Sequence, residues 1–199
     1  MKKTLRRAGS AAGLFLLLST SLRAADYTLD VDHSNVQFSV PVLGVSKITA
    51  KFMRYDVKMS AGKAKDLAQA KVVAVIETSS IATGSDSWDA RLRAPAFLDA
   101  QKYPEIRFES RRIHKLKGRW EALGPLSIHG VTKEITLPFE IRGRFDGPHP
   151  DERLGIHATI SVDRREFGMA WTDNPEAKVA GNTVTVDISL LANRVAAKK

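Results

Sequence analysis

Apolar residues recur at every second position through most of the chain from residue 27 onward. Tyr27, Leu29 and Val31 begin the alternation; Val36, Phe38 and Val40, then Ile48, Ala50 and Phe52, then Tyr55, Val57 and Met59 continue it. Val72, Ala74 and Ile76 form a further set, with Val73 and Val75 on the opposite face, and Ile106 and Phe108 open the next. Trp120 and Ala122 lead across Gly124 to Leu126 and Ile128, and Ile135, Leu137, Phe139 and Ile141 follow. The clearest runs come late, at Leu154, Ile156, Ala158, Ile160 and Val162 and at Val184, Val186, Ile188 and Leu190. Successive side chains of a strand point to opposite faces, so a period of two predicts strands with one buried face.

One segment breaks this rhythm. In Ser85 to Tyr103, Trp88, Leu92, Phe97 and Leu98 stand at roughly helical spacing. Ser85 or Asp86 is a cap for its start, and Pro95 predicts a split into two short helices. A second helical turn is expected in residues 64–70. About eight to ten antiparallel strands with one helical crossing predict a closed barrel rather than a sandwich, because closure removes exposed sheet edges. A barrel of about eight strands can be filled by its own side chains or hold one small ligand. The inward residues mix large (Phe38, Phe52, Phe108, Phe139) with small (Val40, Ala50, Ala74, Ala158), which leaves both outcomes open.

Charge changes the picture once the start of the chain is separated. Lys2, Lys3, Arg6 and Arg7 precede a short apolar run, residues 11–18, and Ala24 follows as a small residue suited to cleavage. This is the layout of a secretory signal peptide, too short for a membrane helix. Residues 1–24 are therefore expected to be removed on export to the periplasm, leaving one domain, 25–199. Arg6-Arg7 raises the twin-arginine export route, although no apolar pair follows closely. The removed piece carries five basic residues and no acid, so a net charge of +9 becomes 9 − 5 = +4. That mild excess does not indicate a nucleic-acid partner. The cluster Arg107, Arg111, Arg112, Lys115, Lys117 and Arg119 reads as a solvated outer face, with attraction to an anionic membrane surface as the alternative. The chain has no cysteine, which excludes disulfides and a lipid-modified cysteine.

Searches for chemistry find little. Asp32-His33-Ser34 are adjacent on a strand, so they cannot form a relay, and they read as a strand end bonding to backbone. The five histidines show no paired metal-binding spacing, and His149-Pro150-Asp151 is a weak metal candidate in a polar loop. Phosphate-binding glycine loops and dinucleotide fingerprints are absent. Asp99 and Glu105 lie six residues apart, a spacing common by chance. No catalytic residues, metal or cofactor are assigned.

Several phrases together are informative. GPLSIHGVTKEITL at 124–137 resembles the G-x-L-T-I-H-G-V-T-K signature of the YceI-like family of polyisoprenoid-binding, lipocalin-like proteins. LDVDHSNVQFSV at 29–40, SSIATG at 79–84, FLDAQKYPEIRFES at 97–110 and VDRREFGM at 162–169 are similar to its other signatures in the same order. The resemblance covers about residues 26–192. It implies an all-β, antiparallel, eight-stranded lipocalin-like barrel with a short helical crossing segment, around an apolar tunnel. It also implies a polyisoprenoid or similar long-chain amphiphile as partner, carried or sequestered. HGVTK would then be a structural hairpin corner, with His129 and Thr132 satisfying local backbone groups.

On this resemblance the tunnel candidates are Phe38, Val40, Ala50, Phe52, Ile76, Phe108, Ile128, Leu137, Phe139, Ala158 and Ile160, with Trp88, Arg91 and Phe97 near the mouth. The chain departs from the family where Pro41-Val42-Leu43 replaces a common histidine, and where Trp88-Asp89-Ala90-Arg91-Leu92 replaces R-D-x-H-L. These departures bear on a ligand's head group more than on the tunnel. A filled barrel acting as a protein-interaction subunit is the alternative reading; transient membrane contact and a homodimer stay open.

Overall fold

The first strand sets the register of the barrel. In the computed structural model, which describes residues 25–61, 67–146, 152–170 and 179–195, β1 (Ala25–Val42) touches three other strands. Its start pairs with β3 (Tyr55–Ala61), its end with β2 (Ser46–Phe52), and its other edge with β11 (Thr183–Arg194). The β1–β11 pairing closes a ring. From β1 the order runs through β3, β4 (Lys71–Glu77), β6 (Glu105–Glu109), β8 (Arg119–Ile128), β9 (Val131–Asp146) and β10 (Glu152–Asp163) to β11. That is an eight-stranded antiparallel barrel, as the alternation and the family resemblance predict.

Three short strands lie off the ring. β2 extends the hairpin with β1 and pairs with the two-residue β5 (Ile81–Ala82), while β7 (Arg112–Leu116) forms a hairpin with β8. The helix α1 (Asp86–Arg93) follows β5.

The sequence pattern is corrected at two places. Val31 is not inward but 50% exposed, because the β1–β11 register shifts between Asp30 and Asn35. Such a bulge moves following residues to the other face. Ser34 holds it: its hydroxyl donates to the Asp30 carbonyl at 2.6 Å and accepts from the Leu191 amide at 3.0 Å. His33 turns to the Asp30 carboxylate at 3.0 Å rather than to backbone. The hydrogen bond from His33 holds the Asp30 carboxyl below its ordinary range.

The expected second helix after Pro95 does not form. α1 ends at Ala94, whose extended conformation suits a residue before proline. Residues 94–104 then run as successive turns through a positive φ of 46° at Asp99, and Ala100 reaches back to the Arg93 carbonyl. The turn expected in 64–70 is a single 3-10 turn, Leu67–Gln69, with residues 64–66 outside the described part.

Two apolar clusters fill the barrel at different heights. The lower joins Tyr27, Met59, Leu67, Phe108, Ile113 and Leu154; the upper joins Val36, Ala50, Phe52, Ile81, Leu92 and Phe97. Leu92 and Phe97 belong to α1 and the segment after it, so the upper end is covered by that crossing segment.

Candidate functional site

The inward residues of the strands enclose two cavities, successive along the barrel axis. On β1 Val36 lines the lower and Phe38 the upper; on β6 the division falls between Phe108 and Ile106, and on β10 between Ala158 and Val162. The lower cavity has about 110 Å³ and the upper about 470 Å³. Both are apolar, since each strand presents its hydrophobic alternate positions inward.

The sequence candidates divide between them. Phe38, Val40, Phe52 and Ile128 line the upper cavity, and Ile76, Phe108, Leu137, Phe139 and Ala158 the lower. Two candidates line neither. Ala50, 1% exposed, is packed into the cluster beneath α1. Ile160 stands between Ala158 and Val162 on β10, paired with Val186, at the level that separates the cavities.

At the mouth, Trp88 and Phe97 line the upper cavity; Trp88 is exposed and Phe97 buried. Arg91 does not reach the cavity. It is exposed, with its guanidinium carbon 5.4 Å from the centre of the Trp88 ring. Ser46, also exposed, lines the cavity beside them, so the opening lies between the start of β2 and α1.

Hydrogen bonds fix the cover. The Asp89 carboxylate accepts from the Thr83 amide at 2.6 Å and from the Thr83 hydroxyl at 2.7 Å. Those bonds hold the Asp89 carboxyl below its ordinary range despite burial. Arg93 donates to the Ile81 carbonyl at 2.7 Å, and the Thr78 amide to the Pro104 carbonyl at 2.9 Å. The mouth helix is therefore tied to β5 and to Thr83 after it, and the end of the crossing segment to the 78–80 turn. Ser85 sits at the N-cap position, but its side chain makes no capping bond.

The residue that pattern reading passed over is Arg164. It is 2% exposed and lines the upper cavity, the one charged side chain to do so among the described residues. Its Nε donates to the Gly181 carbonyl at 3.2 Å, and its Nη1 to the carbonyls of Met169 and of Ala170, the latter at 3.0 Å. Burial pushes its guanidinium below the ordinary value. The available signal was parity: Ile160, Val162 and Arg164 share one face as β10 runs into the 3-10 turn Arg164–Phe167. Leu98, Met169, Val179 and Ala180 complete the lining from irregular segments where no period applies.

The HGVTK corner is a hairpin turn whose two central residues, His129 and Gly130, have φ of 51° and 76°. Its side chains act differently from expectation. The His129 ring packs on Tyr103 at 4.3 Å between centroids, and the Thr132 hydroxyl pairs with the Ser127 hydroxyl at 2.7 Å. A Cβ at Gly130 would come within 2.6 Å of Tyr103, so glycine is required there by both φ and space.

Among the described residues, no group of three or more His, Asp or Glu could hold a metal ion. His149-Pro150-Asp151 lies outside them, as does the signal-like segment 1–24.

Comparison with known proteins agrees with this geometry. Residues 27–192 match the YceI-like domain. A UPF0312 protein of Vibrio parahaemolyticus is 33% identical over 193 residues, 96% of each chain. The crystal structure of Burkholderia cenocepacia BcnA superposes with a TM-score of 0.70 at 18% identity, covering 82% of this chain and 98% of that one. A polyisoprenoid binding domain from Saccharophagus degradans superposes with a TM-score of 0.62 at 16% identity, covering 85% and 98%.

Proposed function

The chain belongs to the YceI-like family, and from that premise we propose that it is a binding protein, not an enzyme, that holds one polyisoprenoid or similar long-chain amphiphile in the upper cavity. The observation that carries this reading is an apolar space of about 470 Å³ that opens to solvent beside Trp88. A cavity of about 150 Å³ accommodates one benzene, so this one has room for roughly 20 carbon atoms of tail. The solved polyisoprenoid binding domain of the same architecture supports the choice of ligand class.

The energetics favour carriage between membranes over tight capture. Burying a tail stabilises it by about 0.8 kcal/mol per CH₂ relative to water, but a bilayer solvates the same tail equally well. Aqueous transit becomes possible, and selectivity is left to cavity shape and to the mouth. Export to the periplasm belongs to the same proposal and rests on the signal-like segment 1–24. A barrel filled throughout, serving as an interaction subunit, fits the lower half and not the upper.

Titration with retinol, a fluorescent isoprenoid of 20 carbons, tests the reading. One saturable site with fluorescence transfer from tryptophan, reduced in Trp88→Leu while Trp120 and Trp171 remain as donors, is expected. A parent protein that leaves retinol fluorescence unchanged would overturn it.

A further inference from the structure

Three hairpins of this barrel turn through the same pair of backbone conformations. Leu43-Gly44, Lys117-Gly118 and His129-Gly130 each place two successive residues at positive φ; the last two are two-residue turns that match strand twist, and the first opens a three-residue loop, Leu43–Val45, between the paired Val42 and Ser46. Asparagine, aspartate and glycine take the first of these positions with least strain. Lys117 is at least solvated by its charge, and His129 is packed on Tyr103. Leu43 has neither compensation. It is 71% exposed, its neighbour Val45 is 91% exposed, and a Cβ on Gly44 would meet nothing within 4 Å. The chain thus sets a leucine where asparagine suits the backbone better, and leaves it bare.

This tip stands at the mouth of the upper cavity. Val42 before the turn and Ser46 after it both line that cavity, as does the exposed Trp88. Cations flank the apolar group on both sides: Lys47, exposed, follows Ser46 on the hairpin, and Arg91 lies over Trp88 on the helix. Of the two acids of α1, Asp89 is turned away onto Thr83, while Asp86 is exposed in the first turn of the helix. Exposed aliphatic side chains, a tryptophan and rim cations are the chemistry that enters the headgroup layer of an anionic bilayer.

We infer that the Leu43–Val45 tip docks on the surface of an anionic bilayer and sets the mouth of the upper cavity against the lipid phase. The inference rests on the carrier reading above and names where loading takes place. A tail passing from bilayer to cavity through a docked mouth never crosses open water, so docking governs the rate of loading and not the final affinity.

The test uses the exported protein and a double variant, Leu43→Asn with Val45→Thr. Asparagine suits the turn and threonine keeps the branched Cβ, so the variant should melt no lower than the parent and bind retinol from solution equally well. Co-sedimentation compares vesicles of phosphatidylethanolamine with phosphatidylglycerol against vesicles of phosphatidylcholine alone. The parent should partition onto the anionic vesicles. The variant's partition, and its rate of retinol uptake from them, should fall about tenfold or more. Equal sedimentation of parent and variant, or equal binding to both vesicle types, would overturn the docking site. So would a parent dimer in size-exclusion chromatography that the variant abolishes, which would make the tip a contact with a second copy. If neither protein takes retinol, the carrier reading fails, and the sedimentation result still decides docking.

Discussion

The lower and upper halves of the barrel share the strands β1, β6, β8, β10 and β11 and are lined by the same kind of side chain, yet one encloses about 110 Å³ and the other about 470 Å³. The difference lies in what closes each end. Below, Leu67 of the 3-10 turn and Ile113 of the β7–β8 hairpin are 3% exposed and join Leu154, at 0%, in one packed cluster. Aliphatic side chains collapse onto one another until little space remains. Above, the cover consists of α1, the turns of residues 94–104 and the 164–169 turn, each anchored by hydrogen bonds to backbone. Asp89 is fixed on Thr83, Arg93 on Ile81, and Arg164 on three carbonyls. A cover held by directional bonds cannot sink inward as a free aliphatic layer would. The polar anchors keep the apolar space open.

The largest expected effect follows from removing such an anchor. Arg164→Met strips three carbonyls of their donor, and bonds to a charged group contribute about 1.5–3 kcal/mol each. The variant should lose about 3–5 kcal/mol in urea unfolding, after allowance for a replacement of similar length. A loss under about 1 kcal/mol would break the claim that these bonds hold the upper end.

Next come paired insertions, one in each half. Ala158→Phe places a ring at the lower cavity and should cost about 1–3 kcal/mol by overpacking. Val184→Phe points the same ring into the upper cavity, should cost less than about 1 kcal/mol, and should shorten the longest polyprenol accepted. Thermal melts paired with a series of prenol lengths read both effects. If Ala158→Phe is tolerated and Val184→Phe unfolds the protein, the two halves have been assigned the wrong way round.

These two variants show where the sequence was legible. Alternation placed Phe38, Val40, Phe108 and Phe139 inward, because period two depends only on the strand itself. It could not say how much space remains between them, since that is set by the covers and by which residues face each other across the ring. Ala158 and Val162 lie on the same face of one strand, four residues apart, and line different cavities. The bulge that turns Val31 outward also escaped, because its cause is a hydroxyl bond from Ser34 rather than an apolar pattern. Pro95 correctly marked the end of α1, but the chain beyond it makes turns, with Asp99 in the left-handed region. Ordered motifs identified the family; the buried role of Arg164 needed the loop carbonyls that surround it.

The smallest expected effect is a pH dependence. Two hydrogen bonds from Arg54 hold the Glu77 carboxyl down from 4.5 to about 2, and the Arg165 guanidinium holds that of Asp163 down from 3.8 to about 2. Both pairs stand at the upper end, beside the 78–80 and 164–167 turns. Their contribution is complete above the unfolded-state values and is lost as pH falls through 4.5 and 3.8 toward about 2, because the unfolded chain takes up protons first. Solvent screening at these exposed groups keeps the effect small. Urea midpoints should therefore decline gently across that window, and Glu77→Gln should flatten part of the decline. An unchanged slope in Glu77→Gln would detach this pair from the acid response.

The central claim is that the upper cavity holds one amphiphile tail. Native mass spectrometry of the protein exported by a bacterial host and purified without detergent addresses it most directly. The account predicts a population carrying a single lipid mass, removed by gentle activation and replaced by a shorter-tailed species in Val184→Phe. A clean mass for the polypeptide alone, unchanged after incubation with prenols from 10 to 20 carbons, a range spanning roughly half to all of the space available, would contradict it.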